Sequence, residues 1–164
     1  YVNKLLTYYT SDNLIVAKTR FPLADLISEI NQIVNANNEA EIVTDFDGNL
    51  EIITDKTALS QILINIISNG IKYNTTDKPI IKITNNIVNF KSNISISDNG
   101  IGIDTQNFET IFQNNKTLSK KDRYGNYGTG LGLAIVMNLT QKIDFDIKVS
   151  SEIGKGSTFT LMEK

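Results

Sequence analysis

Three polar residues recur at helical spacing inside an otherwise apolar segment of the sequence. Asn65, Asn69 and Lys72 stand at i, i+4 and i+7, so they share one face of a helix. Two Asn residues cost a helix about 1 kcal/mol together, and a solvated polar face is one interpretation of them. The other is a row of amides and one cation facing a ligand. Amide oxygens suit Mg²⁺ that takes its anionic ligands from phosphates, and a Lys can contact a phosphate as a point charge.

A second segment, 98–103, combines an acidic residue with two glycines directly after a predicted strand. Its sequence is Asp98-Asn99-Gly100-Ile101-Gly102-Ile103. An ionised Asp only accepts hydrogen bonds, so it can receive one from an exocyclic amine, and the glycines let backbone approach a flat ligand. A simple turn is the alternative. A Ca²⁺-binding EF-hand loop is excluded, because the other acidic ligands are missing at their spacings.

A third segment, 125–133, is rich in glycine and leads into a predicted helix. Glycines before a helix N-terminus expose backbone N–H groups where the helix dipole favours anions. The segment lacks the Gly-Lys-Ser/Thr of a Walker loop and the preceding strand of a dinucleotide fingerprint. A flexible hinge is the alternative. Positive charge that could meet a triphosphate, or simply be solvated, precedes the segment at Lys116, Lys120, Lys121 and Arg123.

Composition narrows the chemistry further. The chain has 164 residues, 16 Lys+Arg against 18 Asp+Glu, and 40% hydrophobic residues, as expected of one globular domain. The net charge of −2 argues against a nucleic-acid partner. There is no Cys and no His, which excludes thiol catalysis, Ser-His-Asp triads and imidazole metal sites. The sequence has no apolar run of bilayer length and no signal-peptide pattern, and its start at Tyr1 predicts a fragment of a longer protein.

The hydrophobic periodicity predicts the elements that must position these segments. Apolar residues at i, i+3, i+4 and i+7 predict helices over 23–35, 55–73 and 129–141, and residues 1–10 resemble a helix end. Predicted strands cover 41–46, 50–53, 80–84, 94–98, 147–150 and 158–162. Turns are predicted at 21–22 and 47–48, and residues 104–127 form a long, weakly patterned and therefore functional loop. About three helices on a mixed or antiparallel sheet make an α+β, two-layer sandwich.

Taken in order, these segments resemble the ATP-binding catalytic domain of bacterial sensor histidine kinases, within the GHKL ATPase superfamily. Residues 64–73 are similar to that family's Asn box, 98–103 to its first glycine box and 128–133 to its second. Residues 154–159 are similar to its closing Gly-x-Gly-Ser/Thr-x-Phe segment. The resemblance implies a Bergerat-type fold over residues 21–164, with an ATP lid at 104–127. Residues 1–20 would be the tail of a dimerisation helical hairpin and a linker.

The resemblance also implies roles for individual residues. Asp98 would accept from the adenine amine, with Thr158 nearby through water. Asn69, assisted by Asn65, would hold Mg²⁺ against the phosphates as the catalytic and metal-binding pair, and catalytic Lys72 would contact phosphate or ribose. The remaining ATP-binding positions would be Tyr73, Gly100, Gly102, Ile103, Gly128, Thr129, Gly130, Leu131, Gly132 and Leu133.

The sequence departs from the family pattern at two places. Asn115 replaces the second Phe of the usual Ile-Phe-x-x-Phe, and the Arg often found shortly after it is replaced by the region around Lys116 and Thr117. Residues 142–145 lack the usual His-Gly-Gly.

Asn65 occupies the position where hydrolytic branches of the superfamily carry a Glu general base. Asn cannot take a proton from water at neutral pH, so transfer of the phosphoryl group to an external acceptor is favoured over hydrolysis.

The predicted function is therefore that of a protein histidine kinase catalytic domain in a two-component system. It would transfer the γ-phosphoryl of Mg-ATP to a histidine outside this chain. The expected partners are the phosphoacceptor helices of the parent kinase and a response regulator. The parent would be a homodimer and a membrane-anchored bacterial sensor, with this fragment on the cytoplasmic side and monomeric. An anti-sigma-factor-type serine kinase and a degenerate nucleotide-sensing module are the alternatives.

Overall fold

The computed structural model describes residues 16–118 and 120–164. The strands in these residues are β1 (Lys18–Pro22), β2 (Glu41–Asp45), β3 (Glu51–Asp55), β4 (Ile80–Val88), β5 (Lys91–Asp98), β6 (Phe145–Glu152) and β7 (Gly156–Glu163). The helices are α1 (Leu23–Val34), α2 (Lys56–Lys72) and α3 (Gly132–Lys142), with a 3₁₀ turn at Thr105–Asn107. None of the helices within the described ranges is long and apolar enough to cross a membrane.

Five of the strands form one mixed sheet in the order β2-β4-β5-β7-β6. Strand β2 runs parallel to β4, and every other neighbouring pair in this sheet is antiparallel. Strands β1 and β3 form a separate antiparallel pair. The mixed sheet with three helices confirms the predicted α+β architecture.

The strand register assigns each sheet position to one of two faces. Ile83, Ile96, Phe159 and Val149 stand opposite one another on successive strands, and the first three are fully or almost fully buried. They pack with the apolar faces of the helices into one core. Residues one position away point to the opposite face of the sheet, because side chains alternate along a strand.

Helix α2 starts at a side-chain cap, which fixes where its polar face falls. Asp55 accepts a hydrogen bond at Oδ1 from the amide of Ala58, at 2.9 Å. Its second oxygen, Oδ2, accepts from the amide of Ala17, also at 2.9 Å. A cap of this kind contributes about 1 kcal/mol to helix stability. The helix then runs without interruption to Lys72.

Three predicted local features differ from the structure. A turn at 47–48 between two strands predicts that residues 50–53 return beside β2, but β3 pairs with β1, where Phe21 and Ile52 stand opposite each other and are both buried. Pro22 closes β1 instead of a turn, because its φ of −66° and ψ of 130° are extended. Helix α3 starts at Gly132 and not at residue 129, because Gly130 has a φ of +68°. A left-handed residue cannot sit inside a right-handed helix.

The expected helix end over residues 1–10 lies outside the described residues. Lys18–Arg20 precede the predicted domain boundary at Phe21 and pair with β3. The division into residues 1–20 and 21–164 stays a prediction.

Candidate functional site

A cavity of about 790 Å³ lies between α2, the loop after β5 and the lid segment, which is residues 104–127. Its volume suits a ligand of nucleotide size. Thirteen of the fifteen predicted site residues line it: Asn65, Asn69, Lys72, Tyr73, Asp98, Gly102, Ile103, Gly128, Thr129, Gly130, Leu131, Gly132 and Leu133. Gly100 and Thr158 do not. Three segments that are distant in sequence therefore meet around one cavity.

Asp98 is the only acidic residue that the described part of the chain places on the sheet side of this cavity. It ends β5, directly opposite buried Ile81, and therefore faces the helices. Its Oδ1 accepts hydrogen bonds from the amides of Gly100 at 2.8 Å and Ser157 at 3.3 Å. Both bonds use Oδ1, and no residue in the described ranges donates a hydrogen bond to Oδ2, which is therefore available to accept from a ligand. Burial raises the pKa of the Asp98 carboxyl, and the two backbone hydrogen bonds partly offset that rise.

Two glycines allow the backbone to close around Asp98. A Cβ on Gly70 would lie 2.7 Å from Cδ1 of Ile81 and 3.0 Å from Cβ of Asp98, so only glycine lets α2 pack this close to the sheet. A Cβ on Gly100 would lie 2.5 Å from the carbonyl oxygen of Tyr73. Gly100 thus holds the loop against the end of α2, and its predicted direct contact with the ligand is not supported by its position outside the cavity lining.

The structure does not bring Thr158 to the cavity, because its side chain lies on the opposite face of the sheet. Thr158 pairs with Ser97, and their hydroxyl oxygens are 2.8 Å apart. Its neighbours Ser157 and Phe159 line the cavity instead. Ser157 is the hydroxyl residue that the Gly-x-Gly-Ser/Thr-x-Phe pattern specifies. The burial of Phe159, two residues further along the strand, is the signal that would have placed Ser157 on the helix-facing side.

The amides of α2 meet the start of α3. Asn65 donates from Nδ2 to the carbonyl oxygen of Gln61 at 2.8 Å, so Oδ1 is the atom left for other contacts. A Cβ on Gly132 would lie 3.0 Å from Oδ1 of Asn65 and 3.9 Å from Nδ2 of Asn69. Both side-chain amides therefore face the N-terminus of α3, where backbone N–H groups favour an anion.

No group of three or more acidic side chains in residues 16–118 and 120–164 could hold a metal ion by itself. Asn65 and Asn69 supply only two protein ligands, and neither amide carries a negative charge. They fit a Mg²⁺ ion that takes most of its ligands from water and phosphate oxygens, and they do not fit an all-protein metal site.

Tyr73 connects the end of α2 to both glycine-rich segments. Its carbonyl oxygen accepts from the amide of Ile101 at 3.0 Å. Its hydroxyl occupies the space that a side chain at position 128 would need, which explains the glycine there. Burial raises the pKa of the Tyr73 hydroxyl, and the negative charge of Asp122 raises it further, so Tyr73 stays neutral.

The lid segment is tied to the second glycine-rich segment near the altered Phe motif. Phe112 packs edge-on against Phe159, with ring centroids 6.4 Å apart, and Ile111 is buried. Asn115 replaces the expected second Phe and adopts a φ of +60°, a conformation that Asn tolerates. Its amide donates to the carbonyl oxygen of Gly130 at 3.0 Å. Position 115 therefore forms a backbone turn that lies against Gly130.

A second set of contacts ties the lid segment to the far side of the cavity. The amide of Arg123 donates to the carbonyl oxygen of Lys72 at 2.8 Å. Nη2 of Arg123 reaches the carbonyl oxygen of Asp77 at 3.4 Å, and the hydroxyl of Tyr124 donates to Oε2 of Glu39. Sequence reasoning missed Tyr124, because its partner lies on the loop between α1 and β2.

Comparison with known proteins identifies the family. The family model described as "Histidine kinase-, DNA gyrase B-, and HSP90-like ATPase" matches residues 54–163. The chain belongs to this ATPase family. It is an ATP-binding domain of the family, and the matched range contains α2, both glycine-rich segments and the closing hairpin, which together build the cavity.

Curated relatives of this ATPase domain are sensor kinases. The chain is 34% identical over 161 residues to the autoinducer 2 sensor kinase/phosphatase LuxQ of Vibrio parahaemolyticus, covering 89% of the chain and 18% of the relative. It is 35% identical over 125 residues to the sensor-like histidine kinase SenX3 of Mycobacterium tuberculosis, covering 76% of the chain and 30% of the relative. The chain thus spans less than a third of each of these relatives.

Solved structures agree with this assignment. The catalytic domain of histidine kinase ThkA superposes with a TM-score of 0.73 at 25% identity, covering 90% of the chain and 97% of that structure. The mycobacterial sensor histidine kinase MprB superposes with a TM-score of 0.76 at 18% identity, covering 90% of the chain and 97% of that structure. The latter likeness shows the shared fold. The predicted α+β fold and the predicted histidine-kinase family are both confirmed.

Proposed function

We propose that this ATPase domain is the catalytic domain of a two-component sensor histidine kinase. It binds Mg-ATP in the cavity and presents the γ-phosphoryl group to a histidine on another part of the parent protein. The observation that carries the proposal is the convergence of Asp98, the α2 amides and the N-terminus of α3 on one cavity of nucleotide size. The similarity to sensor kinases supports the same acceptor class.

Asp98 binds the adenine base of the nucleotide through a hydrogen bond. Its Oδ2 accepts from the exocyclic amine, while Oδ1 remains held by the amides of Gly100 and Ser157. The backbone amides of residues 128–132 bind the phosphates at the N-terminus of α3, and Lys72 adds a positive charge at the end of α2.

The residues around the phosphates favour transfer over hydrolysis. Oδ1 atoms of Asn65 and Asn69 would hold Mg²⁺, which supplies charge neutralisation on the phosphate oxygens. Neither amide can take a proton from water, so a bound ATP lacks a general base on this helix. The chain itself contains no His that could accept the phosphoryl group. Its work is to position the γ-phosphoryl and neutralise charge for an acceptor supplied from outside.

The acceptor is a histidine of the parent's dimerisation helices, to which residues 1–20 form the connection. The phosphoryl group then passes to a response regulator. The parent protein is a homodimer and a membrane-anchored bacterial sensor, and this domain works on its cytoplasmic side.

Substitution of Asp98 tests the adenine assignment. Asp98→Asn keeps an oxygen for the two backbone amides but places an NH₂ donor opposite the adenine amine. We expect the affinity for Mg-ATP, measured by titration calorimetry, to fall about tenfold to a hundredfold. Asp104→Asn is the matched control, because Asp104 also accepts a backbone hydrogen bond, from Gln106 at 3.0 Å, but lies outside the cavity lining. Unchanged binding in Asp98→Asn would refute the pocket assignment.

A further inference from the structure

Ser151 does not line the cavity, yet its side chain joins three segments beneath it. We propose that Ser151 is a positioning residue for the adenine end of the site. Its hydroxyl holds the loop after β5 and the start of β7 in the arrangement that presents Asp98 to the base. The proposal rests on the proposed function, because it takes ATP as the ligand.

The hydroxyl of Ser151 uses its full hydrogen-bonding capacity. Oγ accepts from the amide of Ile103 at 2.8 Å and donates to the carbonyl oxygen of Gly156 at 2.7 Å. It also lies 3.0 Å from Oγ of Ser157. A hydroxyl has one proton to donate and two lone pairs to accept with, so Ser157 is the donor in the third bond. The Ser151 side chain therefore links β6, β7 and the loop after β5.

Two of these links lead directly to Asp98. Ser157 donates its amide to Oδ1 of Asp98, so its position along β7 sets one of the two hydrogen bonds that orient the carboxylate. Gly156 has a φ of +105° and packs so tightly on the backbone of Asp98 that any side chain there would overlap the Asp98 carbonyl oxygen. Holding Gly156 and Ser157 therefore holds the backbone and Oδ1 of Asp98 in place.

The third link fixes the opposite wall. Ile103 and Gly102 line the cavity, and Gly102 lies against the carbonyl group of Glu152 with a φ of +71°. The hydrogen bond from Ile103 to Ser151 fastens this loop to β6, and the amide of Gly154 adds a second tie to the carbonyl oxygen of Ile101 at 2.9 Å. Loss of the Ser151 hydroxyl removes the only side-chain hydrogen bond, among the described residues, between residues 99–103 and the β6–β7 hairpin.

The sheet also provides a matched control for this arrangement. Ser151 stands opposite Ser157 on the helix-facing side, whereas Ser95 stands opposite Thr160 on the other face. The hydroxyl oxygens of Ser95 and Thr160 are 3.0 Å apart, as in the Ser151–Ser157 pair. Ser95→Ala thus removes a cross-strand hydroxyl pair of the same length without touching the site.

The experiment compares two nucleotides on variants of the whole chain. ATP carries the exocyclic amine that Asp98 would accept from, and purine riboside triphosphate lacks it. We expect Ser151→Ala to weaken ATP about tenfold and purine riboside triphosphate at most about threefold in titration calorimetry, because the hydroxyl acts through Asp98. Ser151→Thr retains the hydroxyl and is expected to bind ATP within about threefold of the original chain. Ser95→Ala is expected to bind both nucleotides within about twofold.

The outcomes separate this proposal from the proposed function. ATP binding by Ser151→Ala at full strength, or an equal loss for both nucleotides, would overturn the positioning role. A loss in Ser151→Thr as large as in Ser151→Ala would also overturn it. If Ser151→Ala does not fold, Ser151→Cys replaces it with a side chain of similar size and weaker hydrogen bonding, and the same comparison applies. Failure of the unmodified chain to bind ATP would refute the proposed function itself.

Discussion

At the scale of single residues, the environment of Asp98 favours ligand binding and lowers the stability of the fold. Its carboxylate is partly buried and is not paired with a cation in any described ion pair. Burial raises its pKa, so the charged form is less favourable in the folded chain than in the unfolded chain. A buried acceptor of this kind is typical of a binding site, where the ligand supplies the missing donor.

This environment predicts opposite effects of Asp98→Asn on stability and on binding. The folded chain holds the Asp98 proton more tightly than the unfolded chain, so ionisation destabilises the fold as pH rises from the ordinary pKa of 3.8 through the raised folded value. At neutral pH we expect Asp98→Asn to melt about 1 to 3 °C higher than the original chain while binding ATP poorly.

The pH dependence provides the check. Well below pH 3.8, Asp98 is protonated in both states, so the part of the melting-temperature difference that comes from ionisation should vanish there. ATP affinity of the original chain should fall as pH decreases through the folded pKa of Asp98. The protonated carboxyl carries an O–H donor, and the adenine amine needs an acceptor. A lower melting temperature for Asp98→Asn at neutral pH would contradict the prediction.

The Asp98 site also shows which parts of the site could be predicted from the sequence. The spacing of Asn65, Asn69 and Lys72 predicts that they share one face of α2, and they line one cavity, because helical spacing is local. Thr158 was misplaced because a one-residue shift moves a strand side chain to the other face. The packing role of Gly70 could not be predicted from the sequence, since its close contacts with Ile81 and Asp98 depend on how helix and sheet pack. Contacts between distant segments leave little local signal.

At the scale of elements, the glycines before α3 differ in what they do. Gly125 and Gly130 have left-handed φ values of +83° and +68°. A Cβ on Gly125 would meet nothing within 4 Å, whereas one on Gly130 would lie 2.7 Å from the carbonyl oxygen of Lys116. A side chain at either position would be strained by the left-handed backbone. Only at position 130 would it also clash with the lid segment.

We therefore expect Gly125→Ala and Gly130→Ala to separate stability from binding. Each substitution should cost about 1 kcal/mol through the left-handed backbone. Gly125→Ala should bind ATP within about threefold of the original chain, while Gly130→Ala should lose about tenfold or more. Chemical denaturation and titration calorimetry measure the two effects. Equal affinities for both variants would show that the contact with Lys116 is unimportant for the site.

The lid segment offers a second prediction at this scale. Tyr124→Phe removes the hydrogen bond to Glu39, which is also the main cause of the lowered pKa of the Glu39 carboxyl. Amides of residues 120–127 should then exchange with deuterium about two- to fivefold faster. Tyr127→Phe is the control, because the Tyr127 hydroxyl has no hydrogen bond within the described part of the chain. Unchanged exchange in Tyr124→Phe would mean that other contacts hold the segment.

At the scale of the whole molecule, the topology explains why the elements could be predicted better than their arrangement. The three helices and most strands follow from periodicity. The pairing of β1 with β3 and the parallel pairing of β2 with β4 join segments separated by more than twenty residues. The hydrogen bond from the amide of Ile101 to the carbonyl oxygen of Tyr73 holds the segment after β5 beside the end of α2, and Asp98 and Tyr73 line the same cavity. The site is thus a product of the fold as a whole.

A domain that binds ATP but lacks an acceptor should be stabilised by ATP without being modified by it. With Mg-ATP at about a hundred times its dissociation constant, the free energy of unfolding should rise by about 2.7 kcal/mol and the melting temperature by about 5 to 10 °C. With γ-labelled ATP, the isolated chain should remain unlabelled, because it contains no His. Asp98→Asn should lose most of the thermal shift under the same conditions. Stable labelling of the isolated chain would contradict transfer to an external histidine and favour a different acceptor chemistry.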